Sequence, residues 1–115
     1  MQPDVLKYLH DARDSARAIL GFIEGRSPGE YCSDRRLRSA VEREFITIGE
    51  ALRQAVSLDP TVRSAVSHVR EIVGFRNLLV HGYSGVDDRA VWETAAHAIP
   101  TLLEELDRLL PASTR

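Results

Sequence analysis

A chain of 115 residues with one cysteine, Cys32, cannot form an internal disulfide. It also lacks a second thiolate for a structural zinc site. Lysine is almost as scarce: of 15 basic residues, Lys7 alone is not an arginine. A bias of the source genome accounts for this most simply, although guanidinium groups also suit bidentate contacts with phosphate. No apolar run reaches the roughly 18 residues that a membrane span needs. Charges recur from Asp4 to Arg17, so the N-terminal stretch does not read as a secretory signal. The expected setting is the cytoplasm, with no membrane contact. A formal net charge of −2 provides no global basic field, so any nucleic-acid contact has to come from a local patch.

What the chain does contain is helical periodicity. With 43% hydrophobic and 28% charged residues, it reads as one globular domain spanning 1–115. Val5, Tyr8, Leu9, Ala12, Ala16, Ile19, Leu20 and Ile23 recur at three- and four-residue steps, predicting a helix over about 3–24. Gly25 through Gly29, with Pro28, reads as a loop, and Cys32 as a small, partly buried residue near the next helix start. Asp34 is expected to cap a second helix over about 35–57, striped by Leu37, Val41, Phe45, Ile48, Leu52 and Val56. Its early arginines, Arg35, Arg36 and Arg38, read most simply as a solvated helix start. Asp59-Pro60 breaks the chain before a third helix over about 61–80. Gly82 and Gly85 frame a loop, and Asp87 or Asp88 caps a fourth helix carrying Val91 through Leu109, bent at Pro100. No segment alternates with a period of two. The expectation is all-α, an antiparallel four-helix bundle with a kinked last helix.

One residue breaks the pattern. Val62, Val66, Val69, Val73 and Val80 fall in one arc of the third helix at about 100° per residue, and Arg76 falls among them. A guanidinium there needs an acceptor or a route to water. Either it pairs with a carboxylate such as Glu50, or its face lines a cleft or dimer interface where it awaits a phosphate. His81 follows five residues later, about 140° around a continued helix. Either the helix ends at Val80 and Gly82 turns the chain in the left-handed conformation, or Arg76 and His81 cooperate across a two-fold interface. His81 also suits a plain helix C-cap. Asn77 either orients substrate or ties the loop to the helix, and Tyr83 either contacts RNA or packs at the loop base.

The chemistry that fits these groups is phosphodiester cleavage of RNA without metal. RNA carries its own nucleophile, an imidazole can move the protons, and a guanidinium can stabilise the added charge. The carboxylates are scattered, without the clustering of a metal-nuclease centre, and no cofactor is expected. His10, His68 and His97 show no ligand spacing and read as surface or boundary residues.

At these positions the chain resembles HEPN-domain proteins of the HepT-like group, also called DUF86. Arg76, His81 and Tyr83 match the signature of arginine, four residues, histidine, one residue and tyrosine. Asn77 matches the polar residue that commonly follows the arginine. Ile48-Gly49-Glu50-Ala51, Asp59-Pro60, Val86-Asp87 and Val91-Trp92 are supporting matches in the expected order. The resemblance covers nearly the whole chain and implies a HEPN-type helical bundle acting as a ribonuclease toxin, with Arg76 and His81 catalytic and Asn77 supporting. It further implies a homodimer whose two motifs face a shared cleft. The implied antitoxin is a minimal nucleotidyltransferase that silences the toxin by adenylylating Tyr83. A non-catalytic module holding a nucleotide or such a partner is the alternative, and a purely structural Arg76–Glu50 pair is a third.

Overall fold

The computed structural model describes residues 1–82 and 85–111. Among them lie α1 (Pro3–Ile23), α2 (Pro28–Ser33), α3 (Arg35–Leu58), α4 (Val62–Ala65), α5 (Val69–His81) and α6 (Asp88–Leu109). No strand occurs among the described residues, so the all-α expectation is met. Four of the six helices correspond to the expected bundle, and the other two are short pieces with local causes.

Most helix starts and stops follow from residues close in sequence. Pro3 occupies the first turn of α1, where a backbone N–H would have no helical partner. Gly25 ends that helix with a φ of 73°, the left-handed geometry that returns the Arg26 N–H to the Ile23 carbonyl at 3.0 Å. The span read as a loop then holds α2. Ser27 Oγ accepts from the Glu30 N–H at 3.1 Å, and Glu30 Oε1 accepts from the Ser27 N–H at 2.8 Å. This reciprocal capping box starts a helix directly after the glycine turn. Cys32 therefore lies late in a short helix, not at the start of a long one.

Asp34 caps α3 as expected, its Oδ1 accepting from the Leu37 N–H at 3.1 Å. That bond holds the Asp34 carboxyl below its ordinary range. Asp87 caps α6 through the N–H groups of Arg89 and Ala90, and α6 continues through Pro100. Arg35 and Arg36 are exposed as expected. Arg38 is half-buried and partnered: its Nη1 donates to the Cys32 carbonyl at 2.6 Å and its Nε lies 3.5 Å from Asp88.

α1 packs on α3 and α6, and α5 packs on α3. Leu9, Ile19, Phe45, Ile48, Leu52, Ile72, Ile99, Leu102 and Leu106 are fully buried in one core. Burial of each stabilises the fold by roughly 2 kcal/mol before conformational entropy is counted. Tyr31 anchors α2 to α6, its ring 5.8 Å from that of Trp92.

The third expected helix is two helices, α4 and α5. Val66 turns to extended geometry, with φ −121° and ψ 114°. The N–H of Ser67 donates to Glu105 at 3.1 and 3.2 Å, and the Ser67 hydroxyl donates to the same carboxylate. Glu105 is 9% exposed, and these donors satisfy its carboxyl oxygens. The carboxylate from α6 thus takes the donors that a continuous helix would have bonded internally. Val69 and Ile72 at the start of α5 are buried, while Val73, Arg76 and Val80 further along the same face are half-buried.

Glu105→Ala removes the acceptor and leaves the Ser67 N–H without one. It is expected to lower stability by about 2–3 kcal/mol in urea unfolding, whereas a surface substitution such as Glu104→Ala should change it little.

Candidate functional site

α5 is seated on α3 at Gly49. A Cβ placed on Gly49 would lie 2.3 Å from Arg76 Cβ and 2.7 Å from Arg76 Cγ. Those atoms stand next to the backbone and cannot swing aside, so only glycine admits this approach. The seating lays the Arg76 side chain along α3, where its Nη2 pairs with Glu50 Oε1 at 3.3 Å. Its Nη1 donates to Asn77 Oδ1 at 2.9 Å.

Glu50 is the hub of this network. Arg53 donates to both of its oxygens, Nη2 at 2.7 Å and Nε at 3.3 Å, and Gln54 Nε2 donates at 3.2 Å. The Arg53 hydrogen bonds, then the Gln54 bond and the Arg53 and Arg76 charges, hold the Glu50 carboxyl below its ordinary range. The anticipated Arg76–Glu50 pair is therefore present, yet it does not seal the guanidinium in. The Arg76 side chain is 24% exposed and that of Glu50 38%. Arg76 Nε is buried without a hydrogen-bond partner among the described residues.

Arg76 and Glu50 line a cleft of about 440 Å³ together with Arg43 and Thr47 from α3 and Tyr8 and Asp11 from α1. Arg43, Thr47 and Glu50 stand at i, i+4 and i+7, one stripe of α3. The lining sets two guanidinium groups, Arg43 and Arg76, against two carboxylates, Asp11 and Glu50, with the Thr47 and Tyr8 hydroxyls beside them. Such a surface can bind a phosphate at the guanidinium edges that Glu50 leaves free.

His81 lies in the last turn of α5 and is exposed. The helix does not stop at Val80, and Gly82 is not left-handed: its φ is −97° and its N–H returns to the Leu78 carbonyl at 2.6 Å. A Cβ on Gly82 would sit 2.6 Å from that oxygen, so glycine is needed there for room and not for handedness. With both residues on one helix, His81 lies about 140° around the axis from Arg76 and roughly 7.5 Å along it. It is not among the residues lining the Arg76 cleft. The single chain brings Arg76 and Asn77 together and leaves His81 apart. Tyr83 lies outside the described residues.

The other histidines pair locally: His10 with Arg13 at 3.0 Å, His68 with Glu71 at 3.2 Å and His97 with Glu93 at 3.1 Å. Among the described residues no three His, Cys, Asp or Glu side chains are grouped to hold a metal ion. No helix there is long and apolar enough to cross a membrane. The sequence reading missed Arg53, although its place three residues after Glu50 is a local signal. It also gave Gly49 no structural role, because only the packing of α5 shows what that glycine meets.

A family profile described as Ribonuclease HepT-like matches residues 12–109. The chain belongs to the HepT-like ribonuclease family. A protein of Methanocaldococcus jannaschii named as a candidate RNase is 29% identical over 109 residues, covering 93% of this chain and 88% of the relative. One from Caldanaerobacter subterraneus subsp. tengcongensis, also named as a candidate RNase, is 31% identical over 105 residues, covering 90% of this chain and 91% of the relative. A third, from Thermococcus cleftensis and named as a candidate ribonuclease HepT, is 28% identical over 102 residues, covering 89% and 92%. No solved structure matches the chain. The HepT-like match takes in the α3 and α5 residues that line the Arg76 cleft and begins one residue after Asp11 of α1.

Gly49→Ala is expected to push α5 off α3, lower stability by about 2–3 kcal/mol and weaken the Arg76–Glu50 pair. Thermal unfolding checks the first effect. A control Gly21→Ala, where a Cβ meets nothing within 4 Å, should be neutral or stabilising.

Proposed function

We propose that this HepT-like chain is a metal-independent endoribonuclease that acts as a homodimer and serves as the toxin of a pair with a minimal nucleotidyltransferase antitoxin. The observation that carries the reading is the condition of Arg76. Its guanidinium is fixed by Glu50 and Asn77, stays 24% exposed at a cleft, and keeps one buried nitrogen unsatisfied. The exposed edge of the guanidinium leaves donors available to a phosphate in the cleft. Family membership and the names of the relatives support RNA as the substrate.

In the proposed reaction the RNA 2′-oxygen attacks phosphorus, forming the O2′–P bond while the P–O5′ bond breaks. His81 takes the 2′-hydroxyl proton or delivers one to the leaving O5′, with water exchanging the other. Arg76 carries the charge that builds on the non-bridging oxygens, and Asn77 keeps the guanidinium in register. The products are a 2′,3′-cyclic phosphate and a 5′-hydroxyl, and no metal ion is needed for the balance.

The angle between the two groups supports the homodimer. On one helix Arg76 and His81 diverge, so one phosphate is met by Arg76 of one protomer and His81 of the other. Tyr83, two residues beyond His81, is the proposed acceptor of adenylate from the antitoxin. Adenylate there would place negative charge on the phosphate site and exclude RNA.

Purified protein is expected to cleave single-stranded RNA in EDTA and to leave 2′,3′-cyclic phosphate ends. His81→Ala should slow cleavage by about 10²–10⁴-fold. Undiminished cleavage by that variant, or RNA binding without any cleavage by the wild type, would contradict the assignment.

A further inference from the structure

A second groove lies on the other side of the α3–α5 seam. Its volume is about 430 Å³, within the roughly 300–1,000 Å³ range of small-ligand sites. Val56, Val69 and Val73 form its floor, and Arg53, Arg63 and Arg70 stand around it. No carboxylate lines the groove. Arg63 and Arg70 are exposed and have no ion pair or side-chain hydrogen bond among the described residues. Arg53 is paired with Glu50, so the unpaired positive charge at the groove comes from Arg63 and Arg70.

A polar chain separates this groove from the Arg76 cleft. Arg53 binds Glu50, Glu50 pairs with Arg76, and Arg76 binds Asn77, which itself lines the second groove. Because Asn77 Oδ1 is engaged by Arg76, its amide N–H groups are free for a ligand in the groove. Gly74 also lines the groove. A Cβ there would meet nothing within 4 Å, so the missing side chain leaves the α5 backbone open to the groove.

We propose that this groove is a subsite for an RNA nucleotide flanking the cleaved bond. Arg63 and Arg70 contact its phosphates, and its base lies on the valine floor. The proposal rests on the ribonuclease reading above for the identity of the ligand. A second copy of the chain is the disfavoured occupant, because a two-fold contact through this patch would bring its arginines against themselves.

The test uses a fluorescently labelled single-stranded RNA of about ten nucleotides and fluorescence anisotropy. Binding is read on full-length His81→Ala protein, so the outcome is separate from whether the wild type cuts RNA. Adding Arg63→Ala and Arg70→Ala is expected to weaken binding about tenfold at low salt. It should also reduce the slope of log K against log salt by roughly 1.4, the value for two phosphate contacts on a single strand. Arg35→Ala with Arg36→Ala, exposed at the opposite end of α3, serves as the control. An unchanged affinity, or an equal loss in the control, overturns the subsite. So does a shift from dimer to monomer in sedimentation with RNA affinity intact, which would assign the groove to a second copy.

Discussion

The close seating of α5 on α3 at Gly49 is the constraint from which the rest of the site follows. Without a Cβ at that position, the Arg76 stem lies flat against α3 and its head arrives at Glu50. A larger residue would lift α5 and take the cation away from the carboxylate. The same contact defines two grooves, one on either side of the seam, and the Arg53–Glu50–Arg76–Asn77 chain is the wall between them. Exposed ion pairs add little to stability, commonly under about 1 kcal/mol. The value of this network lies in orientation: it fixes a guanidinium that still has donors to offer.

A second constraint sets where α5 begins. The Glu105 carboxylate draws Ser67 out of helical geometry and separates α4 from α5. Within α5, Val69, Val73, Arg76 and Val80 still share one arc, and burial falls along it, from Val69 to the half-buried Arg76. A buried cation would need full compensation by neighbours. A half-buried one needs only a partial partner and remains open to a ligand.

What was legible in the sequence was what is encoded locally. Asp34 and Asp87 cap helices through N–H groups two or three residues away, and the stripes of α1, α3 and α6 repeat every three or four residues. The capping box of α2 was equally local, in Ser27-Pro28-Gly29-Glu30, but the glycine and proline around it read as loop. The Ser67 break was not legible, because its acceptor lies 38 residues further along and the valine period continues across it. At the site, the Arg76–Glu50 pairing was accessible from an arginine on an apolar arc facing one suitable carboxylate. The place of Gly82 was misjudged: glycine after a helix suggested left-handed geometry, whereas the tight return to Leu78 is what excludes a side chain. The convergence of Arg53, Arg63 and Arg70 depends on how three helices meet, and no spacing along the chain announces it.

The central proposal is that Arg76 and His81, which diverge on one helix, act on one phosphate from two chains. Co-expression of Arg76→Ala and His81→Ala protomers tests this most directly. Each variant alone should be nearly inactive, and the co-expressed population should regain about one quarter of wild-type RNA cleavage, since about half of the dimers would be mixed and carry one of two sites intact. Mixed dimers as inactive as either parent would place both groups in the same chain's site and contradict the account.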